Sequence, residues 1–369
     1  MLKLHIIQAE FGDCFLLEYG SHTNPKYILI DGGPDSIYDN HLKAQLQEIR
    51  SNGGKLDLAI LSHIDGDHII GLLDFFAELR EQRANKTTPT IEVDALWHNN
   101  FRNTVGNQEN IEKQLKTMIT KSPKVRNTLA LTNNKILSIN QGNQLRIAAT
   151  TLGIPINPKT PNNLICLDDQ PELIIMDNLS LQIVGPTKQN LERLKKKWIQ
   201  WLEKYEELTT IADPSMLAMI DSSVPNLSSI MFLAKAHGKT ILFTGDGRGD
   251  HLIQGLQHAG LIVNGKLHVD ILKLPHHGSD RDVDKEFFQI ITADKYIISA
   301  NGKYDNPSLS TLTWIVKAAK EQKRRIEIYI TNETSATKKL EKDFNKDEYL
   351  YTIEKMEPGA HIMTLEIAK

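Results

Sequence analysis

The stretch "LDLAILSHIDGDHIIGLL", residues 56–73, decides the fold. Its opening, "LDLAILS", is a nearly continuous apolar run, the pattern of a strand covered on both faces. "IIGLLDFFAELREQ", residues 69–82, reads as a helix. Between them stand His63, Asp65, Asp67 and His68, metal-binding side chains packed into six residues. Strand, ligand-rich turn, helix is the arrangement in which α/β sheets place their chemistry, at the carboxyl ends of strands. A plain polar surface turn does not account for that density of ligands directly after a buried strand.

Three further places carry ligand-type residues after an apolar, strand-like run. They are Asp31 in "LIDGG", Asp246 in "ILFTGDG", and His276 with His277 in "LKLPHHGS". Strand ends on one side of an α/β sandwich share an edge, so these residues can converge. The residues of H-x-D-x-D-H lie too close for one helix face. In an extended turn they can address two cations about 3.5–4 Å apart. His63 and Asp65 would serve one ion, Asp67 and His68 the other, and Asp246 would bridge them. At least one of His276 and His277 is expected to reach the ions or the scissile group, and the sequence leaves open which. Asp67 is expected to hold and aim the nucleophile, and a histidine of the pair to serve the leaving group or developing oxyanion. Asp31 is expected to orient a ligand from behind. Asn226, Ser228 and Ser229 either hydrogen-bond the site or end a strand. The other histidines are read as structural, with His98 in "WHNN" the least typical because it ends a strand.

Composition narrows the function classes. The chain has 369 residues, 40% of them hydrophobic, long enough for one large α/β domain or two small ones. With 43 Lys and Arg against 46 Asp and Glu, the net charge of -3 gives no global reason to bind nucleic acid or anionic membrane. The basic stretches "RLKKKW" and "QKRR" lie among acidic residues and read as solvated helix faces. "RGD" at 248–250 follows Asp246 and is incidental. Cys14 and Cys166 lack a CxxC spacing and read as buried thiols in a reducing compartment. No apolar run approaches a membrane span, and "MLKLHIIQAE" has no signal-peptide pattern, so a cytoplasmic protein without membrane contact is expected.

The rest of the chain alternates strands and helices. Helices are expected at 39–51, near 109–121, at 141–151, in the charged stretch from 187 and around 309–320. Strands are expected at 91–100 and 179–186, in a hairpin through Gly238, and at 361–368. We expect one domain over 1–369. An irregular, insertion-like region at about 101–222 lies between the ligand motifs, where substrate choice would be written.

The ordered set "IDGG", "SHIDGDH", "NLSS" (226–229), "FTGD" and "PHHGS" resembles the metallo-β-lactamase fold superfamily. It looks most like the branch typified by the hydrolase domain of the competence protein ComEC. The resemblance implies a four-layer αββα sandwich and a hydrolytic site at its edge holding two divalent metal ions, Mn²⁺ or Zn²⁺. Asp65 stands where the commoner motif has a histidine, which tilts the ligand set towards a harder ion such as Mn²⁺. Asn226 and Asn306 also stand where relatives carry histidines, so Asn306 is placed beside the site rather than among its ligands. The function expected is a phosphodiesterase or nuclease acting on nucleic acid or a small phosphodiester. The alternatives are an acyl hydrolase for lactones or thioesters, or a degenerate-site interaction subunit of a bacterial defence or DNA-processing system, with a protein partner the sequence does not name.

Overall fold

The computed structural model describes residues 1–100, 103–104, 134–169, 173–176, 179–211 and 225–369. Its strands are β1 (Leu2–Ile7), β2 (Phe15–Ser21), β3 (Asn24–Ile30), β4 (Leu56–Ile60), β5 (Leu96–Trp97), β6 (Leu173–Met176) and β7 (Leu179–Gly185). They continue as β8 (Met231–Ala236), β9 (Lys239–Phe243), β10 (Leu267–Lys273), β11 (Ile291–Ile298), β12 (Ile326–Ile330), β13 (Tyr351–Lys355) and β14 (Ile362–Ala368). One sheet has the order β14-β1-β2-β3-β4-β5, the other β13-β12-β11-β10-β9-β8-β7-β6. Both are mixed. In the first, β3, β4 and β5 run parallel; in the second, β9 to β13 do.

The strand sequences explain the packing. β4 is buried along its whole length, as its apolar run requires, whereas β12 (IEIYI) alternates buried and half-buried residues. Leu4, Phe15, Ile60, Phe232, Phe243 and Ile297 fill the space between the sheets. The rings of Phe232 and Phe243 stack there at 4.9 Å. Helices α1 (Lys43–Ser51), α2 (Gly66–Ala84) and α3 (Asn134–Leu152) cover the outside of the first sheet. Leu194 and Trp198 of α4 (Lys188–Ile211) join that layer. Helices α5 (Gly249–His258), α6 (Leu309–Glu321) and α7 (Ser335–Asp343) cover the second sheet. The result is a four-layer αββα sandwich. At roughly 1.5–3 kcal/mol per fully buried large apolar side chain, the three apolar layers supply the favourable term that holds the sheets together.

Two local readings change. The strand expected at 91–100 shrinks to Leu96–Trp97. Val93 makes only an isolated bridge to Leu56, and the main-chain N–H and C=O of His98 are taken by the Asn157 side chain, so the ladder ends there. The helix expected at 141–151 is part of the longer α3. The helix expected near 109–121 and part of the 101–222 region lie outside the described residues. No helix among the described residues is long and apolar enough to cross a membrane.

One close approach sets the position of the ligand turn. The Gly32 N–H donates to the His68 carbonyl at 2.8 Å and the Gly71 N–H to the Gly33 carbonyl at 3.1 Å. A Cβ on Gly71 would stand 2.0 Å from the Gly32 oxygen. Only bare glycine lets α2 lie against the "DGG" turn. Gly71→Ala should therefore cost about 2 kcal/mol, read by urea unfolding. An unchanged midpoint would mean that α2 yields without loss.

Candidate metal centre

β3, β4, β9, β10 and β11 all end at one edge of the sandwich. Asp31 follows β3, Ser62 and His63 follow β4, Asp246 follows β9, and His276 and His277 follow β10. Asp65 occupies the N-cap position of α2, yet its side chain caps nothing. A residue type favoured for capping is thus left free to face the site.

Asp246 lies at the centre, 2% exposed. His68 Nε2 is 3.2 Å and His277 Nε2 3.5 Å from its Oδ1. His63 Nε2 is 3.6 Å and His276 Nε2 3.5 Å from its Oδ2. Asp67 joins the first group, with Oδ2 3.5 Å from His277 Nε2 and Oδ1 4.0 Å from His68 Nε2. Asp65 joins the second, 3.6 Å from His63 Nε2. The donors therefore divide into two sets that share Asp246, and both members of the His276/His277 pair take part, one in each set.

Every imidazole is held through its other nitrogen. His68 Nδ1 donates to Asp31 Oδ2 at 2.9 Å, and Asp31 also accepts from the Ser62 N–H and hydroxyl, both at 2.7 Å. His63 Nδ1 meets Ser62 Oγ at 3.1 Å. His277 Nδ1 donates to the Ser299 carbonyl at 2.9 Å, and His276 Nδ1 to Asp282 at 2.6 Å. Fixing Nδ1 leaves each Nε2 lone pair aimed at the centre, the arrangement metal-binding histidines require. Asp31, His276 and His277 all adopt left-handed backbone, with φ of 57°, 46° and 55°. Non-glycine residues seldom do so, and at the end of a packed strand it turns the side chain across the edge.

The residues fit divalent cations. Nε2 of His63, His68 and His277 and Oδ1 of Asp246 are buried without a hydrogen-bond partner. Each such orphan costs about 1–3 kcal/mol. Two donors bound to one cation at about 2.1 Å stand roughly 3.0–3.4 Å apart, close to the spacings found here.

Sequence reasoning missed the support behind these side chains. Asp13 forms an ion pair with Lys273, and both are 1% exposed. Asp13 Oδ1 is 3.3 Å from His277 Nδ1. Asp13, His68, Asp246 and His277 offer ligand atoms within 4.8 Å of one another. Asp13, however, faces the Nδ1 side of both rings and spends its charge on Lys273, so it backs the centre rather than joining it. Lys273 also donates to the Gly245 carbonyl at 3.1 Å, next to Asp246. A lone lysine in the apolar run "DILKLP" was the one available signal. The expected neighbours are nearby or silent. Asn306 Nδ2 reaches the His276 carbonyl at 3.4 Å. Asn226 and Ser228 are buried in the turn Pro225–Ser228 before β8, and Asn226 Oδ1 finds no partner. His98 is buried and meets the Gly142 carbonyl at 3.1 Å; burial pushes its ring down to about 4.

The family model described as the metallo-beta-lactamase superfamily matches residues 7–86, which hold Asp13, Asp31 and the His63–His68 turn. The architecture is the metallo-β-lactamase fold. Among solved structures, the metallo-beta-lactamase fold protein YhfI from Bacillus subtilis is 13% identical, covering 99% of this chain and 100% of that one, at a TM-score of 0.39. A Parabacteroides distasonis protein provisionally named a metal-dependent hydrolase is 10% identical, with 86% and 93% covered and a TM-score of 0.34. No curated protein matches the chain.

Charge in the cluster follows from the geometry. Burial alone would raise Asp246, but the imidazoles of His276, His68, His277 and His63 hold it well below the usual carboxylate range. Burial would lower His277, yet Asp246 and Asp13 lift it to about 9. Asp246, Asp31 and Asp67 lift His68 well above its ordinary value in the same way, and Asp246 and Asp282 raise His276. In the metal-free protein His277 contributes stability that is full below pH ~6.5 and lost as pH rises through about 9, and the raised His68 and His276 act in the same direction. Added Mn²⁺ must displace their protons, so its stabilisation grows over the same interval. Thermal melts of chelator-treated protein should fall from pH ~6.5 to ~9.5, and the gap to melts with added divalent metal should widen over the same interval; a gap that does not change with pH would contradict this charge assignment.

Proposed function

We propose that the protein is a metal-dependent phosphodiesterase acting on nucleic acid or a small phosphodiester, near the ComEC-like branch in its motif order. The observation that carries this reading is the Asp246 carboxylate, each of whose oxygens faces two imidazole Nε2 atoms. Asp67, His68 and His277 would hold one cation; His63, Asp65 and His276 would hold the other, and Asp246 would bridge. Two divalent ions bound there supply Lewis acidity towards water and phosphoryl oxygens. Asp65, Asp67 and Asp246 set three carboxylates beside the four imidazoles, one more than H-x-H-x-D-H would supply, which shifts the donor set towards Mn²⁺.

The chain's own groups then divide the work. In the metal-free protein His68 and His277 hold Asp67 ionised against the effect of burial, and as a carboxylate it would accept a hydrogen bond from the attacking water and aim its lone pair. His277 is locked by Ser299 and buried, so it positions. His276 keeps 32% of its side chain exposed, with Asp282 behind its Nδ1, and so presents itself to the incoming substrate. The hydrogen bonds that Asp31 accepts from His68 and that Ser62 makes with His63 fix the ring planes before substrate arrives, which removes that ordering from the barrier.

Mn²⁺-dependent hydrolysis of bis(4-nitrophenyl) phosphate should fall at least about 1,000-fold in Asp246→Asn. A parallel assay with 4-nitrophenyl acetate and a γ-lactone separates the classes. Acyl turnover without phosphodiester turnover would replace this reading with an acyl hydrolase. Metal analysis supplies an independent check. The wild type should retain two ions per chain, and His276→Ala and His277→Ala one each. Two ions retained by either variant would remove that histidine from the ligand set.

A further inference from the structure

Beside the metal centre lies a small aromatic rim that the hydrolytic reading does not use. Tyr304 is 69% exposed, more than any other large hydrophobic side chain among the described residues. Its ring meets the half-buried Phe11 edge-on, with centroids 6.2 Å apart. The Lys303 ammonium sits between them, 3.4 Å from the Phe11 centroid and 5.0 Å from that of Tyr304.

The rim is tied to the site on both sides. Phe11 stands two residues before Asp13, within roughly 7 Å of chain. The Gly12 carbonyl between them accepts from Ser299 Oγ, and the Ser299 carbonyl orients His277. Tyr304 stands two residues before Asn306, whose amide reaches the His276 carbonyl. Asn301 fastens the two loops together by donating to Glu10 at 2.9 Å. Tyr304 and Asp305 are both left-handed, with φ of 58° and 60°, so the loop presents the ring to solvent in a backbone state that tyrosine disfavours.

We infer that Tyr304, Phe11 and Lys303 form a stacking subsite for a nucleobase, so that the preferred substrates are nucleotide phosphodiesters. The inference rests on the phosphodiesterase reading for the reaction but on the rim alone for the base. An exposed ring with a neighbouring apolar ring offers a flat ligand a stacking surface, and the ammonium adds a cation beside it. A compact diester would reach the metal centre without touching this surface.

The test compares thymidine 5′-(4-nitrophenyl phosphate) with methyl 4-nitrophenyl phosphate on the full chain with Mn²⁺. The two share a leaving group and differ in the nucleoside. Tyr304→Ala should raise KM for the thymidine ester about tenfold with kcat unchanged, and leave the methyl ester within about twofold; Tyr304→Phe should behave as wild type. Equal effects on both esters, or none, would overturn the subsite. Calorimetric titration of thymidine 5′-monophosphate gives a second readout that needs no turnover. Binding weakened about tenfold by Tyr304→Ala, in a protein that hydrolyses neither ester, supports the rim and defeats the phosphodiesterase reading. Turnover of both esters without Tyr304 dependence does the reverse. Absence of nucleotide binding to the wild type removes the subsite.

Discussion

The structure is organised around one carboxylate that faces four imidazoles. Asp246 lies at the junction of the two sheets, 2% exposed, and its two oxygens divide His68 and His277 from His63 and His276. A buried carboxylate in that position demands positive charge. The imidazoles supply it as protons when no cation is bound. Most of the local architecture serves to keep these five side chains within about 0.5 Å of their positions, because ligand geometry tolerates little more.

The sandwich delivers that precision by parallel strand ends. β3 and β4 in one sheet, and β9, β10 and β11 in the other, terminate at the same edge. Each contributes either a donor or the group that orients one. Asp31 from β3 fixes His68 from the β4–α2 turn, and Ser299 from the end of β11 fixes His277 from the end of β10. The first sheet's histidines thus meet the second sheet's aspartate across the seam. The Asp13–Lys273 ion pair crosses the same seam, from the start of β2 to the end of β10. Its burial is costly unless both charges stay paired, so it ties the two sheets together at that point.

The sequence made the donors legible and left their support obscure, for a physical reason. His63, Asp65, Asp67 and His68 crowd one turn after an apolar strand, a pattern that periodicity exposes. Asp246, His276 and His277 each close a similar run. The orienting groups carry no such mark. Ser62 and Ser299 act through a hydroxyl or a main-chain carbonyl, which any residue type can disguise, and Asp282 lies in a loop where acidic residues are ordinary. The end of the strand expected at 91–100 misled because its β-type composition says nothing of Asn157, a distant side chain that takes the backbone groups of His98. The left-handed turns at Asp31, His276 and His277 were equally invisible, since none of them is glycine.

Charge explains why so many carboxylates can share one edge of an otherwise apolar core. Asp13 pairs with Lys273 and still helps raise His277, while Asp31, Asp65, Asp67 and Asp246 face the histidines. Without cations, the raised affinities of His68, His276 and His277 for protons offset them. Divalent cations bound there would meet the same negative charge, and the imidazoles would then be neutral ligands. Protons and metal are therefore alternative solutions to a single electrostatic problem set by the carboxylates. That equivalence permits the sandwich to fold before it is loaded, with the ligand rings already turned inward by Ser62, Asp31, Asp282 and Ser299.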